Sequence, residues 1–330
     1  MATVGVIFGK FYPPHRGHKF LIECAAAQVD ELFVIICDKP GQEPAAVLRA
    51  EWLREIHAAQ TNVRVLITPD DLPDDDSPAW AKRTLEILGR VPDMVFTSED
   101  YGEPFSRALG CHHLCVDQER RTVPISGTAI RQNPWRHWEF LEAPVRAYYA
   151  RRVCIVGAES TGTTTLAMAL AEHFQTAWVP EYGREYCETH QKVGAHASEW
   201  QSEEFEMIAR EQNRREDEMA RACNRVLICD TNAWTTRLWH RRYLNYDSLA
   251  VEKLAARPYD LYLLTGDEIP FVQDGLRDGE NIRHTMHKWF EAELQAQNAP
   301  WALLRGAPEQ RLAQAATLIE QLLKDSFKTD

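Results

Sequence analysis

Gly9-Lys10-Phe11-Tyr12-Pro13-Pro14-His15-Arg16-Gly17-His18 follows an apolar run, Thr3–Phe8, and precedes an amphipathic stretch, Lys19–Gln28. An apolar run, a glycine-containing loop and an amphipathic stretch read as strand, phosphate-facing loop and helix, the opening unit of a parallel α/β domain. His15 and His18 stand three residues apart, so at a helix start both can face one cavity. Amides at a helix N-terminus favour an anion there, and Gly9 and Gly17 let the backbone approach a ligand closely. Such a site suits phosphates that gain charge in a transition state, where fixed donors lower the barrier. Serine or cysteine nucleophilic catalysis has no obvious candidate here.

The same unit recurs at Val153–Val156, Gly157–Thr164 and Leu166–Phe174. Two such starts predict two domains, 1–145 and 146–330, and a chain of 330 residues accommodates them at roughly 100–200 residues each. The expected fold is two α/β domains in series, the first Rossmann-like and the second built on a P-loop, both with mainly parallel sheets. Further strands are expected at Leu32–Cys37, Val63–Ile67 and Met94–Thr97, separated by helices around Ala46–Gln60 and Trp80–Gly89, with Asp70–Ser77 as a loop. In the second domain Val226–Cys229 and Leu261–Leu264 read as strands and Glu199–Arg221 as a long charged helix. Asn133–Arg152, with aromatics and two prolines, reads as the connection between domains.

Hydrophobic residues make up 45% and charged residues 26%, enough apolar material for two cores. A net charge of −12 disfavours general binding to nucleic-acid backbones, so no DNA partner is expected. Neither a signal peptide nor an apolar run near the ~18 residues that span a bilayer is evident. A cytoplasmic protein with no membrane partner and with reduced cysteines is the expectation. Cys37, Cys154 and Cys229 fall in apolar runs and read as buried thiols. Cys111-His112-His113-Leu114-Cys115 lacks a second CxxC half, so zinc is not expected.

Ile125-Ser126-Gly127-Thr128-Ala129-Ile130-Arg131, late in the first domain, sets hydroxyls and an arginine at a helix start, a second phosphate clamp. Read as ordinary structure, His15 and His18 only cap one helix and Ser126 another. Both pieces belong at strand carboxyl ends, where α/β ligands bind, which favours one shared site.

The HxGH loop in its GKFYPPHRGH setting, with ISGTAIR later, resembles the nucleotidyltransferase superfamily. With Thr97-Ser98-Glu99-Asp100-Tyr101-Gly102, Asn133-Pro134-Trp135 and Trp138-Glu139-Phe140, it resembles more narrowly the nicotinamide mononucleotide (NMN) adenylyltransferase domain of NadR-type proteins. The resemblance implies ATP and NMN as substrates, NAD and pyrophosphate as products, and Mg2+. It implies that His15, His18 and Arg131 are catalytic, and that Gly9, Lys10, Phe11, Ser126 and Thr128 join them around ATP. Trp80 is a candidate to stack on nicotinamide and Arg49 and Arg54 to steer the NMN phosphate, although a helical tryptophan is as often core and helix arginines are usually solvated.

Gly157-Ala158-Glu159-Ser160-Thr161-Gly162-Thr163-Thr164 fits a P-loop after a strand and before a helix. Its amides would cradle phosphates, Thr164 would reach a metal, and Thr165 continues the helix start. Thr163 stands where the motif carries the lysine that bridges the β- and γ-phosphates. Asp230, ending the Val226–Cys229 strand, is placed as a metal or substrate carboxylate, with Glu181 as its competitor for the acceptor hydroxyl. Arg184 and the glycine-containing loop bearing Arg277 and Arg283, a candidate lid, are the replacement cations. GAESTG, PEYGREY, the Cys229–Asn232 run and Pro270–Glu280 are similar to the ribosylnicotinamide kinase domain of the NadR family, which implies nicotinamide riboside as acceptor. The alternatives are an adenylyltransferase for another small phosphate, such as pantetheine phosphate, and a C-terminal domain that only senses nucleotide. A strand beginning at Thr3 leaves no room for a preceding helix-turn-helix, so no repressor role is expected. A homo-oligomer is compatible with every reading.

Overall fold

The continuous apolar runs become strands buried on both faces, the pattern of parallel sheets covered by helices. The computed structural model describes residues 2–190, 192, 199–272 and 280–325. They fall into two units, Met1–Val145 and Arg146–Asp330.

In the first unit β1 (Val4–Gly9), β2 (Glu31–Asp38), β3 (Val63–Pro69), β4 (Met94–Thr97) and β5 (His112–Cys115) form a sheet in the order β3-β2-β1-β4-β5. Every pairing is parallel, with Val6 opposite Phe33 on one side and Val95 on the other. The order reverses between β1 and β4, so the crevice beyond Gly9 and Thr97 is the topological switch point. One core layer holds Ile7, Leu21, Ile22, Val34, Ile36 and Phe96, all buried. Each such side chain contributes roughly 1.5–3 kcal/mol by leaving water.

In the second unit β6 (Arg151–Val156), β7 (Trp178–Val179), β8 (Val226–Asp230), β9 (Leu261–Thr265) and β10 (Trp301–Leu304) form a parallel sheet in the order β10-β9-β6-β8-β7. β6 is central, and the Gly157–Thr164 loop leaves its carboxyl end into the helix Thr163–Phe174. The long charged helix runs over Ser202–Ala222, opened by a capping box between Gln201 and Glu204.

Two short edge strands, β5 and β10, were not expected. His112–Cys115 has no apolar run to read, and Trp301–Leu304 is only four residues long. Asn133–Arg152 is more structured than a connection: Trp138 is buried in a 3-10 turn, and Glu142 pairs with Arg16 at 3.2 Å and Lys19 at 3.4 Å. Those contacts tie the segment to the first helix of the same unit. All eight cysteines are free, with Cys37, Cys154 and Cys229 buried. Among the described residues no helix is long and apolar enough to cross a membrane.

Candidate active sites

The first helix begins at Arg16, and His15 is its N-cap: Nδ1 accepts the amides of Gly17 and His18 at 3.1 and 3.4 Å. His15 caps the helix and does not itself line the cavity; its ring stacks on His18, which does, with centroids 3.7 Å apart. Phe11, at φ 45°, brings its buried ring to His18, centroids 4.9 Å apart. A bulky residue is uncommon in that left-handed conformation. Ser126 caps the helix Gly127–Gln132 by accepting the Ala129 amide at 3.1 Å. Arg131, one turn on, donates to the Tyr12 carbonyl at 2.6 Å and to Thr128 Oγ1 at 2.9 Å, and its guanidinium lies over the Tyr12 ring.

The two sequence pieces therefore meet. They line one cavity of about 680 Å³, with Gly9, Lys10, Phe11 and His18 on one side and Ser126, Thr128 and Arg131 on the other. Gly127 is required at the contact, since a Cβ there would stand 2.7 Å from the Tyr12 carbonyl oxygen. Trp80 also lines the cavity, its indole nitrogen donating to the Pro73 carbonyl at 2.9 Å. Lys10 sits 3.5 Å from Asp70 and 3.6 Å from Asp74, so its ammonium is held at the rim.

Burial, and then the Arg120 guanidinium, push the His15 imidazole down to about 3. Burial, His15 and Arg120 likewise hold His18 well below the ordinary histidine range. Both rings are neutral at pH 7, and each offers one N–H and one lone pair. Among the described residues His18 Nδ1 is buried with no hydrogen-bond partner.

The expected NMN-steering arginines lie elsewhere. Arg49 is fully buried, donates to the Lys10 carbonyl and, at 3.2 Å, to Gln42 Oε1, and stacks on Tyr12. It braces the loop from beneath rather than facing the cavity. Arg54 reaches from its helix to the Val65 carbonyl at 3.0 Å and does not line the cavity. Neither is a free solvated charge: backbone carbonyls claim both. Arg120 was missed. It lines the cavity from a loop that Asp117 organises by accepting the amides of Arg121, Thr122 and Val123. Its place after an acidic turn carries no motif. The Cys111–Cys115 cluster is an edge strand whose His113 Nε2 is 2.8 Å from Thr97 Oγ1, and among the described residues no group of three potential ligands could hold a metal.

The second cavity, about 180 Å³, is lined by Gly157, Glu159, Ser160, Thr163 and Thr164 of the P-loop, together with Glu181 and Arg184. Ser160 and Gly162 take positive φ, 59° and 82°, which curls the loop. Thr161 is turned inward, its hydroxyl 2.7 Å from both Thr265 Oγ1 and the Ala158 carbonyl, while Thr165 is exposed outside the cavity. Gly157 leaves room for these hydroxyls: a Cβ there would meet Thr265 Oγ1 at 2.2 Å.

Asp230 lies below the cavity, 1% exposed, accepting Thr164 Oγ1 at 2.6 Å on Oδ2. Burial raises its carboxyl against the hydrogen bonds of Thr164 and Thr163 and the field of Arg184. Its Oδ1 is buried with no hydrogen-bond partner among the described residues. An uncompensated carboxylate oxygen beside a hydroxyl is a hard-oxygen set that fits Mg2+, which binds through one or two carboxylates plus waters and phosphates.

Arg283, expected on a lid, is buried at the start of the helix Arg283–Ala296 and donates to the Ser160 carbonyl at 3.1 Å. It grips the P-loop from outside. Arg277 lies outside the described residues. Sequence reading missed Arg311, whose Nη1 donates to the Thr161 carbonyl at 2.7 Å. It also missed an aromatic wall of Trp200, Phe205, Trp239 and Tyr243. Trp200 and Tyr243 are 5.5 Å apart by ring centroids. The spacing of these aromatics gives no sign of which cavity they line.

Residues 6–133 match the family described as cytidylyltransferase-like, and residues 152–311 match the AAA domain. The trifunctional NAD biosynthesis/regulator protein NadR of Escherichia coli (strain K12) is 32% identical over 295 residues, covering 83% of this chain and 72% of the relative. Its counterpart in Salmonella typhimurium matches with the same identity and coverage. A NadR protein crystallised in complex with NR superposes with a TM-score of 0.79 at 22% identity, covering 97% of this chain and 96% of that one. Another, in complex with NAD and AMP-PNP, gives 0.76 at 21% identity, covering 100% and 98%. The chain belongs to the NadR family, with a nucleotidyltransferase-like domain followed by a P-loop domain.

Proposed function

We propose that the first unit transfers the adenylyl group of ATP to NMN, giving NAD and pyrophosphate, and that the second phosphorylates nicotinamide riboside to NMN with ATP. The observation that carries this reading is the convergence of the Gly9–His18 loop and Ser126–Arg131 on one cavity at the switch point. The E. coli relative's description as an NAD biosynthesis protein, and the NR and NAD in the solved NadR structures, supply the acceptor.

In the first cavity an NMN phosphate oxygen attacks the α-phosphorus. The bond to the bridging oxygen breaks, and pyrophosphate leaves with the electron pair. His18, neutral and with an unsatisfied ring nitrogen, hydrogen-bonds the phosphate oxygens. His15 fixes the plane of His18 by stacking. Arg131, Lys10 and Arg120 offset the charge that grows in the transition state. Positioning does the rest, without a covalent enzyme intermediate. Trp80, mostly buried in the core, lines the cavity and is the candidate contact for the nicotinamide ring.

In the second cavity the aromatic wall suits a planar pyridinium ring, which is attracted to aromatic faces as other cations are. We assign the acceptor hydroxyl to Glu181, which lines the cavity, and the metal end to Asp230, which Thr164 holds below it. Mg2+ held there by Asp230 and Thr164 would shield the phosphate charge.

The test is product chromatography after giving the purified chain magnesium-ATP with NMN, and separately with nicotinamide riboside. NAD from both supports the whole reading. NAD from NMN alone indicates a P-loop domain that only binds nucleotide. NAD from neither removes the acceptor, and adenylylation of pantetheine phosphate would then favour the other acceptor class.

A further inference from the structure

We infer that Arg184 supplies the positive charge that a P-loop lysine carries over the transferred phosphoryl group, so that the cation enters from beyond β7 instead of from the loop itself. The inference rests on the kinase reading of the second unit.

Thr163 cannot take the lysine's place. Its methyl sits under Gly157, 3.3 Å from where a Cβ would be, and its side chain carries no charge. Charge spreads over three phosphoryl oxygens in such a transfer, and one arginine delivered to them is worth on the order of 10³–10⁵ in rate. Three guanidiniums surround the loop without lining the cavity. Arg311 holds the Thr161 carbonyl and Glu268, Arg283 holds the Ser160 carbonyl, and Arg242 lies 3.8 Å from Glu159 and over the Trp239 and Tyr243 rings. They fix the loop's outer surface.

Among the described residues lining the cavity, the cations are Arg184 and Lys192. Lys192 is at the aromatic end, over Trp200 and 3.1 Å from Glu204 Oε1. Arg184 stands in the first turn of the helix Tyr182–Thr189, directly after β7, and faces the same cavity as Thr163 and Thr164. β7 pairs with β8, Val179 opposite Cys229, so the chain leaves β7 beside Asp230 and carries Arg184 to the phosphate and metal end. The side chain is 38% exposed, so a triphosphate in the cavity can reach it. A planar guanidinium can bind two phosphate oxygens at once. In the step it serves, the riboside hydroxyl oxygen bonds the γ-phosphorus and the β–γ bridging bond breaks. ADP leaves with the electron pair, and the hydroxyl proton passes to Glu181.

The experiment measures riboside-dependent ADP production by the full chain, with NAD formation from NMN as the folding control. Arg184→Gln should lower kinase kcat about a thousandfold with riboside KM within threefold. Adding Thr163→Lys to that variant should regain at least tenfold, by returning a cation to the loop. A fall of less than tenfold, or a fall that Thr163→Lys does not reverse, overturns the inference. If the unaltered chain makes NAD from NMN yet no ADP with riboside, the kinase reading itself fails and takes this inference with it.

Discussion

Gly127→Ala tests whether the first cavity depends on close approach of its two halves. The added Cβ would lie 2.7 Å from the Tyr12 carbonyl oxygen and 3.4 Å from Arg131 Nη1. Close C···O contacts are about 3.3 Å, so the helix start and the loop must part by roughly half an ångström. Both neighbours belong to the site: Tyr12 is backbone, and Arg131 already spans the gap through its 2.6 Å bond to that same carbonyl. A misplacement of 1 Å costs about a hundredfold in rate, so half of that predicts about tenfold in kcat/KM for NAD formation. Overpacking of this kind costs about 1–3 kcal/mol, with Tm lower by roughly 2–4 °C per kcal/mol. Initial rates with NMN, riboside-dependent ADP as control, and a thermal melt read all three. If kcat/KM stays within twofold while the fold is intact, the close approach does not set the site and the reasoning is wrong.

Arg131→Lys keeps the charge but loses the fork that engages both Tyr12 and Thr128, and should lower NAD formation by about a hundredfold in steady-state rates. Asp230→Asn should abolish measurable riboside-dependent ADP while leaving NAD formation from NMN unchanged. Because burial raises the Asp230 carboxyl, the neutral amide should hold or raise the melting temperature of the second unit; a lower one would contradict the placement. His15, at about 3 in the fold against 6.5 unfolded, stays neutral where the unfolded chain is protonated. The stability this provides is complete above pH 6.5 and falls by about 1.4 kcal/mol per pH unit between 6.5 and 3. Urea unfolding across that range should show a shallower loss for His15→Gln than for the unaltered chain, and equal slopes would refute the assignment.

Periodicity and apolar runs made the interior strands legible, because a strand buried on both faces has to be written in Val, Ile, Leu and Phe. Edge strands need no such run, which hid β5. The two halves of the first site were readable because helix caps and glycines leave fixed signatures, and Ser126 and His15 do cap. Arginines were the weak point. A guanidinium bonds a carbonyl or a carboxylate equally well, so spacing alone could not distinguish the brace Arg49 from the cavity cation Arg120. The same holds in the second unit. Arg283 and Arg311 grip P-loop carbonyls that no sequence pattern announces, while Arg184 faces the cavity.

The central claim is that two chemistries occupy two separate cavities of one chain, adenylyl transfer beside His18 and phosphoryl transfer beside Thr164. Both activities should be measured in one preparation of His18→Ala. NAD formation from NMN should vanish while riboside-dependent ADP production stays near that of the unaltered chain. Parallel loss of both in a folded protein would contradict the account.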